Sequence, residues 1–403
     1  MELKKIHISD IGKVVTGKTP RTSIVENYGG NIPFLTPSDD LSYKSVPKTS
    51  KTLTEQGLNE VKNCLLPPHS VCVSCIGSDL GKVVMTLEPT ITNQQFNSII
   101  PNRQFNTDFV YYLMTLVGKE LNYLSKTSTA VPIINKSSFS NYEVEVPDLK
   151  KQEKIASILS SLDDKIELNR RINGNLEQQA QTLFKAWFVD FEPFKNGKFV
   201  DSEFGRIPEG WNIVEANHFM TISKDSINPT KNPMCLYTHY SIPAFDEALT
   251  PEIQFGHKIK SNKFLVRSGM TLFSKLNPRI KRIWFINEAS DNSICSTEFI
   301  PYESLGQNCY FLYCYLNSNM FYSQAMSLVN GATGSHQRFS PNETLKFLFA
   351  YKKEIVEEFN VLVAPTLKEM SELSLETRKI AKLRDTLLPR LMSGELNINT
   401  ITE

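Results

Sequence analysis

Residues 151–191, KQEKIASILSSLDDKIELNRRINGNLEQQAQTLFKAWFVDF, constrain the fold more than any other stretch of the chain. Alternating steps of four and three from Ile155 reach Leu159, Leu162, Ile166, Asn169, Asn173, Leu176, Ala180, Leu183 and Trp187, the seam of a long coiled-coil helix. No proline interrupts the run, and at about 1.5 Å per residue the helix is roughly 50–55 Å long. The apolar stripe is narrow, which favours a rod over the core helix of a large domain. Asn169 and Asn173, with Arg170 and Arg171 between them, sit mid-seam, where a polar residue costs stability and fixes register against a partner helix.

The partner is in the same chain. Displacing the lattice by 204 residues gives Phe359, Val363, Thr366, Met370, Leu373, Thr377, Ile380, Arg384, Leu387 and Leu391. Pro365 is expected to kink or restart this second rod, and Gly394 lies just past its last apolar residues, where helix ends favour glycine. Each rod follows a strand-rich stretch. Residues 1–148 carry short apolar runs (SVCVSCIG, GKVVMTL, NSIIP) punctuated by Gly and Pro around one helical segment, FNTDFVYYLMTLVGKELNYL. Residues 193–350 repeat that order with GMTLFSKL, KRIWFIN, STEFIPY and the helix-like NCYFLYCYLNSNMFYSQAM. The predicted fold class is α+β: two pseudo-repeated mixed α/β domains, 1–148 and 193–350, separated by two long antiparallel coiled-coil helices, 149–192 and 351–403.

At 403 residues the chain is expected to hold more than one domain. The opening MELKKIHISDIGKVV has no apolar signal region, and no run approaches bilayer length, so a cytoplasmic protein is expected. Seven cysteines without framework spacing fit a reducing compartment. Net charge is only +1, so contact with a nucleic acid must come from local patches.

Two domains alike in layout and unlike in side chains, carried on paired rods, suit the reading of two different things at a set spacing. A ruler of tens of Å matches double-helical DNA, whose turn is about 34–36 Å. Between Ile253 and Asn287 there is no acidic residue, while Lys258, Lys260, Lys263, Arg267, Lys275, Arg279, Lys281 and Arg282 interleave with Phe255, Phe264, Phe273, Trp284 and Phe285. The plain alternative is a solvated basic face balanced by acids elsewhere in the fold. The first half offers Arg21, Lys44, Lys48, Lys51 and Lys82. Two loops are candidate readers: residues 125–136, with Lys126 and Lys136, and residues 330–338, with His336, Gln337 and Arg338. An ordinary surface loop is as good a reading of either from spacing alone.

Catalytic patterns fall short. Asn31-Ile32-Pro33-Phe34 is one residue away from the NPPF-type tetrapeptide of amino-methyltransferases and reads as a strand entry. GSDLGKV at 77–83 is too short for a phosphate loop and lacks the hydroxyl after Lys82. Cys64, His69, Cys72 and Cys75 could be imagined around zinc, but Cys72 and Cys75 are expected on opposite faces of one strand. Pro147-Asp148 with Lys150 lacks the second carboxylate-x-Lys of a metal-dependent nuclease, and the six histidines offer no triad. A non-catalytic chain without metal or cofactor of its own is expected.

The run IASILSSLDDKIELNRRINGNLEQQAQTLFKAWFVDFEPF, the following FGRIPEGW and the terminal LRDTLLPRLMSGEL closely resemble the specificity subunit of type I restriction-modification enzymes. IGKVVTGKTP with YGGNIPFLTPSDD resembles the start of that family's target-recognition domains; GWNIVEANHFMTISKDSINPTKN departs from it by lacking the Gly-rich turn. The resemblance implies a double-stranded DNA reader in which each recognition domain takes one half of a bipartite target and the rods set the unread spacer. It implies two modification subunits, which bind S-adenosylmethionine and methylate adenine, and restriction subunits with ATP- and Mg-dependent translocation and nuclease activity. Rod positions Glu167, Arg171, Gln178, Trp187, Arg384, Arg390 and Leu391 become candidate contacts for those partners. The reading from another class is a coiled-coil adaptor joining two protein-binding domains.

Overall fold

In the computed structural model, which describes residues 2–77, 79–125, 133–329 and 337–396, two helices of 40 residues dominate: Leu149–Phe188 and Lys353–Met392. The chain divides into two units, Met1–Leu168 with Lys379–Glu403, and Asn169–Arg378. Both long helices contribute to both units, and in each they run antiparallel.

In the first unit an antiparallel sheet has the spatial order Gly12–Thr16, Phe96–Pro101, Val71–Ser74, Val83–Met85. Strand Val71–Ser74 is buried on both faces, which is why it reads as a continuous apolar run. Helix Thr107–Ser125 covers one face, and Val71, Val73, Phe109 and Met114 form one core with Ile155 and Leu159 of the first long helix and Leu388 and Leu391 of the second. Cys72 packs on the other side with Val15, Leu35 and Phe96. A smaller sheet, Lys51–Leu53, Tyr28–Leu35 and Ile91–Thr92, includes a parallel pair at Phe34 and Ile91. Strand Lys4–His7 pairs with Glu143–Val146, so the chain's start closes on the segment that enters the first long helix.

The second unit repeats this plan. Met220–Ile222, Phe299–Ser304, Thr271–Ser274 and Ile283–Phe285 stand in the same spatial order, with helix Cys309–Asn317 over them. Asn212–Glu215 pairs with Leu348–Tyr351 as the closing strand pair, and Thr238 meets Ser293 in the corresponding parallel pair. Its core is aromatic: Phe188 lies 5.2 Å from Phe311, 5.7 Å from Phe349 and 5.2 Å from Phe359 between ring centroids.

Pro365 neither breaks nor restarts the second helix, contrary to the expectation from sequence. The carbonyl it deprives of a donor is that of Val361, a residue 72% exposed, so water can take the place of the missing N–H. Gly394 has φ 75°, and the Leu396 amide donates to the Arg390 carbonyl at 3.1 Å, the left-handed helix stop expected there.

His239 is buried in the second unit's other sheet with its Nε2 unpartnered, and burial, then the nearby Lys263 charge, push its pKa down against a contact with Gln254. A base whose folded pKa is depressed contributes stability that is complete above its unfolded value and is lost as pH falls below it. Stability of this unit is therefore expected to decline below about pH 6.5, by at most about 1.4 kcal/mol per pH unit for one proton. His239→Gln should flatten the slope of urea midpoint against pH between 5 and 6.5; an unchanged slope would assign the loss elsewhere.

Candidate nucleic-acid interface

In each unit the hairpin loop that joins the third and fourth strands of the main sheet is tied to the chain leaving a candidate reading loop. In the first unit, Ile134 N–H donates to the Cys75 carbonyl at 3.0 Å, Ile76 bridges Ile133, and Asn97 donates from Nδ2 to the Ile134 carbonyl at 3.1 Å. Asn97 also accepts from Thr16 Oγ1 at 2.7 Å, so one buried amide couples two strands to that segment. Gly81 sits against helix Thr107–Ser125: its φ is +89°, and a Cβ would lie 2.1 Å from the Gly118 carbonyl oxygen. The glycine of GSDLGKV thus serves a backbone-to-helix contact rather than phosphate binding. Lys82 and Lys136 stand exposed on the two joined segments.

In the second unit the Asn277 amide donates to the Gln337 carbonyl at 3.2 Å, and Tyr322 Oη donates to the Pro278 carbonyl at 2.7 Å, fixing loop 275–282. Arg279 is exposed and Lys275 half-buried on this loop. Arg338 lies beside it, its guanidinium on Glu298, whose hydrogen bonds and then charge raise the arginine's pKa. Lys126 and His336 fall outside the described residues.

The other expected cations divide by what they touch. Lys48, Lys51, Lys258 and Lys260 are exposed. Arg21 is exposed and holds Glu60, whose carboxyl it lowers to about 2 through hydrogen bonds from side chain and backbone. Four of the sequence candidates are committed to the fold. Lys44 bonds Asp108 at 2.6 Å and Ser160 on the first long helix at 2.9 Å, under the rings of Tyr111 and Tyr112. Lys263 is buried, donating to Ser261, and burial lowers its pKa. Arg282 is buried in a two-pronged pair with Asp246 at 2.6 and 2.8 Å. Lys281 donates to the Asn317 carbonyl, and loss of solvent lowers its pKa although its residue surface is largely exposed. The desolvated part is the ammonium, which carries the charge. Arg267, too, is paired, with Asp225 and Glu303. Acids from outside the acid-free window thus take up Arg267 and Arg282, Ser261 and the Asn317 carbonyl take up Lys263 and Lys281, and Lys258, Lys260, Lys275 and Arg279 keep no acidic partner among the described residues.

The rod contacts need similar correction. Leu391 is fully buried in the first unit's core and cannot meet a partner. Arg384 is an internal strut to Asp163 at 2.6 Å, and Trp187 is half-buried against Phe359 at 5.7 Å and Phe194 at 6.2 Å. Arg390 bonds Glu395 at 2.8 Å, and Glu167 is half-buried. Arg171 and Gln178 are exposed, and Gln178 lines a shallow groove of about 430 Å³ with Asn175, Gln179, Thr182, Leu183 and Ala186.

The seam in the sequence misses two carboxylates that anchor the domains, Asp163, which is buried, and Glu177, which is half-buried. Asp163 accepts from Tyr112 Oη at 2.5 Å, and Glu177 accepts from Tyr313 Oη at 2.7 Å and Asn317 Nδ2 at 2.6 Å. Both lie one turn beyond a seam residue, Leu159 and Asn173, which is the only trace they leave in sequence. The thiols of Cys72 and Cys75 are pushed up to about 12 and about 11 by burial, so neither is a ready metal ligand, and among the described residues no group of three His, Cys, Asp or Glu side chains could hold a metal. Phe34 is buried and lies within strand Tyr28–Leu35, leaving no aromatic face for a base at Asn31–Phe34.

Residues 1–178 match the family described as type I restriction modification DNA specificity domain. The MjaIX type I specificity subunit of Methanocaldococcus jannaschii is 28% identical over 99% of this chain and 94% of its own length. The chain is thus similar, along almost its whole length, to a specificity subunit of a type I restriction-modification enzyme. The HindI specificity subunit of Haemophilus influenzae is 36% identical over 41% of this chain and 37% of its own. In fold, the S subunit of a type I system from M. genitalium matches with a TM-score of 0.54 at 14% identity, covering 97% of this chain and 96% of that one. Among the described residues no helix is long and apolar enough to cross a membrane.

Proposed function

We propose that this chain is the specificity subunit of a type I restriction-modification enzyme, reads a bipartite double-stranded DNA target, one half-site per recognition domain, and holds the modification and restriction subunits on it. The observation that carries the reading is the duplication. The same strand order and the same tie between hairpin loop and reading loop occur in both units, with Lys82 and Lys136 in one and Lys275, Arg279 and Arg338 in the other. One backbone plan with two sets of side chains fits two unlike half-sites. Domains 1–148 and 193–350 would be the readers, and the helices between and after them the spacer.

Partner docking is supported by what the rods leave outside: Leu168, Leu375 and Leu383 are 47%, 45% and 48% exposed, and a groove lined by Asn175, Gln178, Gln179, Thr182, Leu183 and Ala186 lies open on the first rod. Two modification subunits would take these faces, with Arg171 and Gln178 as polar contacts. S-adenosylmethionine, ATP and Mg would be bound by the partners.

The test is a methylation map of DNA from cells that express this chain with its modification subunit. The expected result is methyladenine in one new motif, two short specified halves around a fixed unread gap. Formation of the complex without any motif would move the reading to the adaptor. Salt separates the two independently. Eight candidate cations, Lys48, Lys51, Lys82, Lys136, Lys258, Lys260, Lys275 and Arg279, show no acidic partner among the described residues. Duplex affinity of the complex should fall with a log–log slope of up to about 7 from these groups. A flat dependence would favour the adaptor.

A further inference from the structure

Two candidate DNA-facing arginines are each held by a carboxylate. Arg338 donates from Nε and Nη2 to Glu298 at 3.0 and 2.8 Å, with 47% and 27% of the two side chains exposed. Glu298 stands beside loop 275–282, since its carbonyl accepts from the Lys275 amide at 2.9 Å. In the other unit Arg21 donates from Nε and Nη2 to Glu60 Oε1 at 3.0 and 2.8 Å, and its backbone N–H reaches Glu60 Oε2 at 3.0 Å. Exposed pairs of this kind add little to fold stability. They do, however, occupy the guanidinium fork, the same fork that clasps a phosphate or the O6 and N7 of guanine.

We propose that Glu298 is a specificity-determining residue that withholds Arg338 from sequence-independent phosphate binding, and that Glu60 does the same for Arg21. This rests on the DNA reading above. A phosphate that takes Arg338 exchanges one anion for another and must approach the released Glu298 carboxylate, so the net attraction of an arbitrary duplex is reduced by one cation. At the cognate half-site, contacts made by the rest of the loop cluster offset the exchange, and the arginine can turn to the DNA. The pair lowers affinity for all sequences and lowers it least for the right one, which is how discrimination is raised without a new contact.

The experiment uses the full chain in complex with its modification subunits, comparing wild type, Glu298→Gln, Glu298→Asp and Arg338→Gln on a random duplex and on the duplex defined by the methylation map. For Glu298→Gln, random-duplex affinity should rise about three- to tenfold, with a salt slope steeper by about 0.9. Target affinity should change less, and methylation should become degenerate in one half-site alone. Glu298→Asp should stay close to wild type, and Arg338→Gln should erase the gain when combined with Glu298→Gln. The proposal is overturned if Glu298→Gln leaves random-duplex affinity and slope unchanged, if it weakens both duplexes equally, or if its effect follows a fall in thermal midpoint. A wild-type complex that bound duplex without salt dependence would sink the DNA reading itself; a salt-dependent wild type with an indifferent Glu298→Gln would sink only the guard.

Discussion

Asp163→Ala is expected to cost the first unit about 3 kcal/mol, among the largest losses available to a single polar substitution in this chain. Asp163 is 7% exposed and accepts from Arg384 at 2.6 Å and from Tyr112 at 2.5 Å. Burial opposes charge on Arg384, and the carboxylates of Asp163 and Asp385 outweigh it, raising the arginine's pKa. Removing Asp163 leaves a desolvated guanidinium with only Asp385, and a buried tyrosine hydroxyl without its acceptor. Asp385 is why the low end of the usual 3–5 kcal/mol applies. The same reasoning predicts the rescue: Asp163→Leu combined with Arg384→Met should recover most of the loss, because a well-packed apolar pair replaces two charges that were expensive to bury. Urea unfolding, with hydrogen exchange of helix Thr107–Ser125 as the local readout, checks both. A single substitution that changed neither would mean the network is dispensable, and Tyr112 and Lys44 would then hold the helix by packing alone.

That network also marks where the sequence stopped being legible. The long helices were plain in it because their apolar spacing is local and periodic, and the duplication was plain because the second copy keeps that spacing. The inner face was displaced by one residue in the second unit: Leu183 and Trp187 were expected in the seam, whereas Phe184 and Phe188 are the fully buried pair. An undistorted helix drifts about 20° per heptad, so a strict 4–3 count wanders off the buried stripe, and here the aromatic cluster of the domain decides which residue turns in. The basic window misled for a different reason. Asp225, Asp246 and Glu303 take up Arg267 and Arg282 from sequence positions outside it, and such pairing leaves no mark in a linear charge pattern. Lys44 reads as a surface cation in sequence because nothing nearby announces that Ser160, 116 residues away, receives its ammonium.

The second large effect concerns length. Four residues inserted near Asn169–Asn175 of the first rod alone, which lengthens a helix by about 6 Å and turns it by about 40°, should abolish target methylation rather than move it. The reason is the second helix. Asp163 is bound to Arg384 and Leu159 packs in one core with Leu388, while Asn169 meets Glu376 at 2.7 Å, Asn173 meets Ser374 at 3.0 Å and Phe188 meets Phe359. Both helices are continuous through these contacts, so lengthening one cannot preserve the pairs made on both sides of the insertion. Seven residues inserted into each rod, between Arg170 and Ile172 in the first and between Ser374 and Glu376 in the second, keep the seam to within about 20° and retain both sets. The helix pair then grows by about 10 Å, and the unread gap of the methylated motif should widen by about three base pairs with its specified halves unchanged. Single-molecule methylation mapping in cells that express wild type or either insertion variant gives the answer directly. A matched insertion that methylated the original motif with the original gap would show that the rods join the readers without measuring the distance between their half-sites.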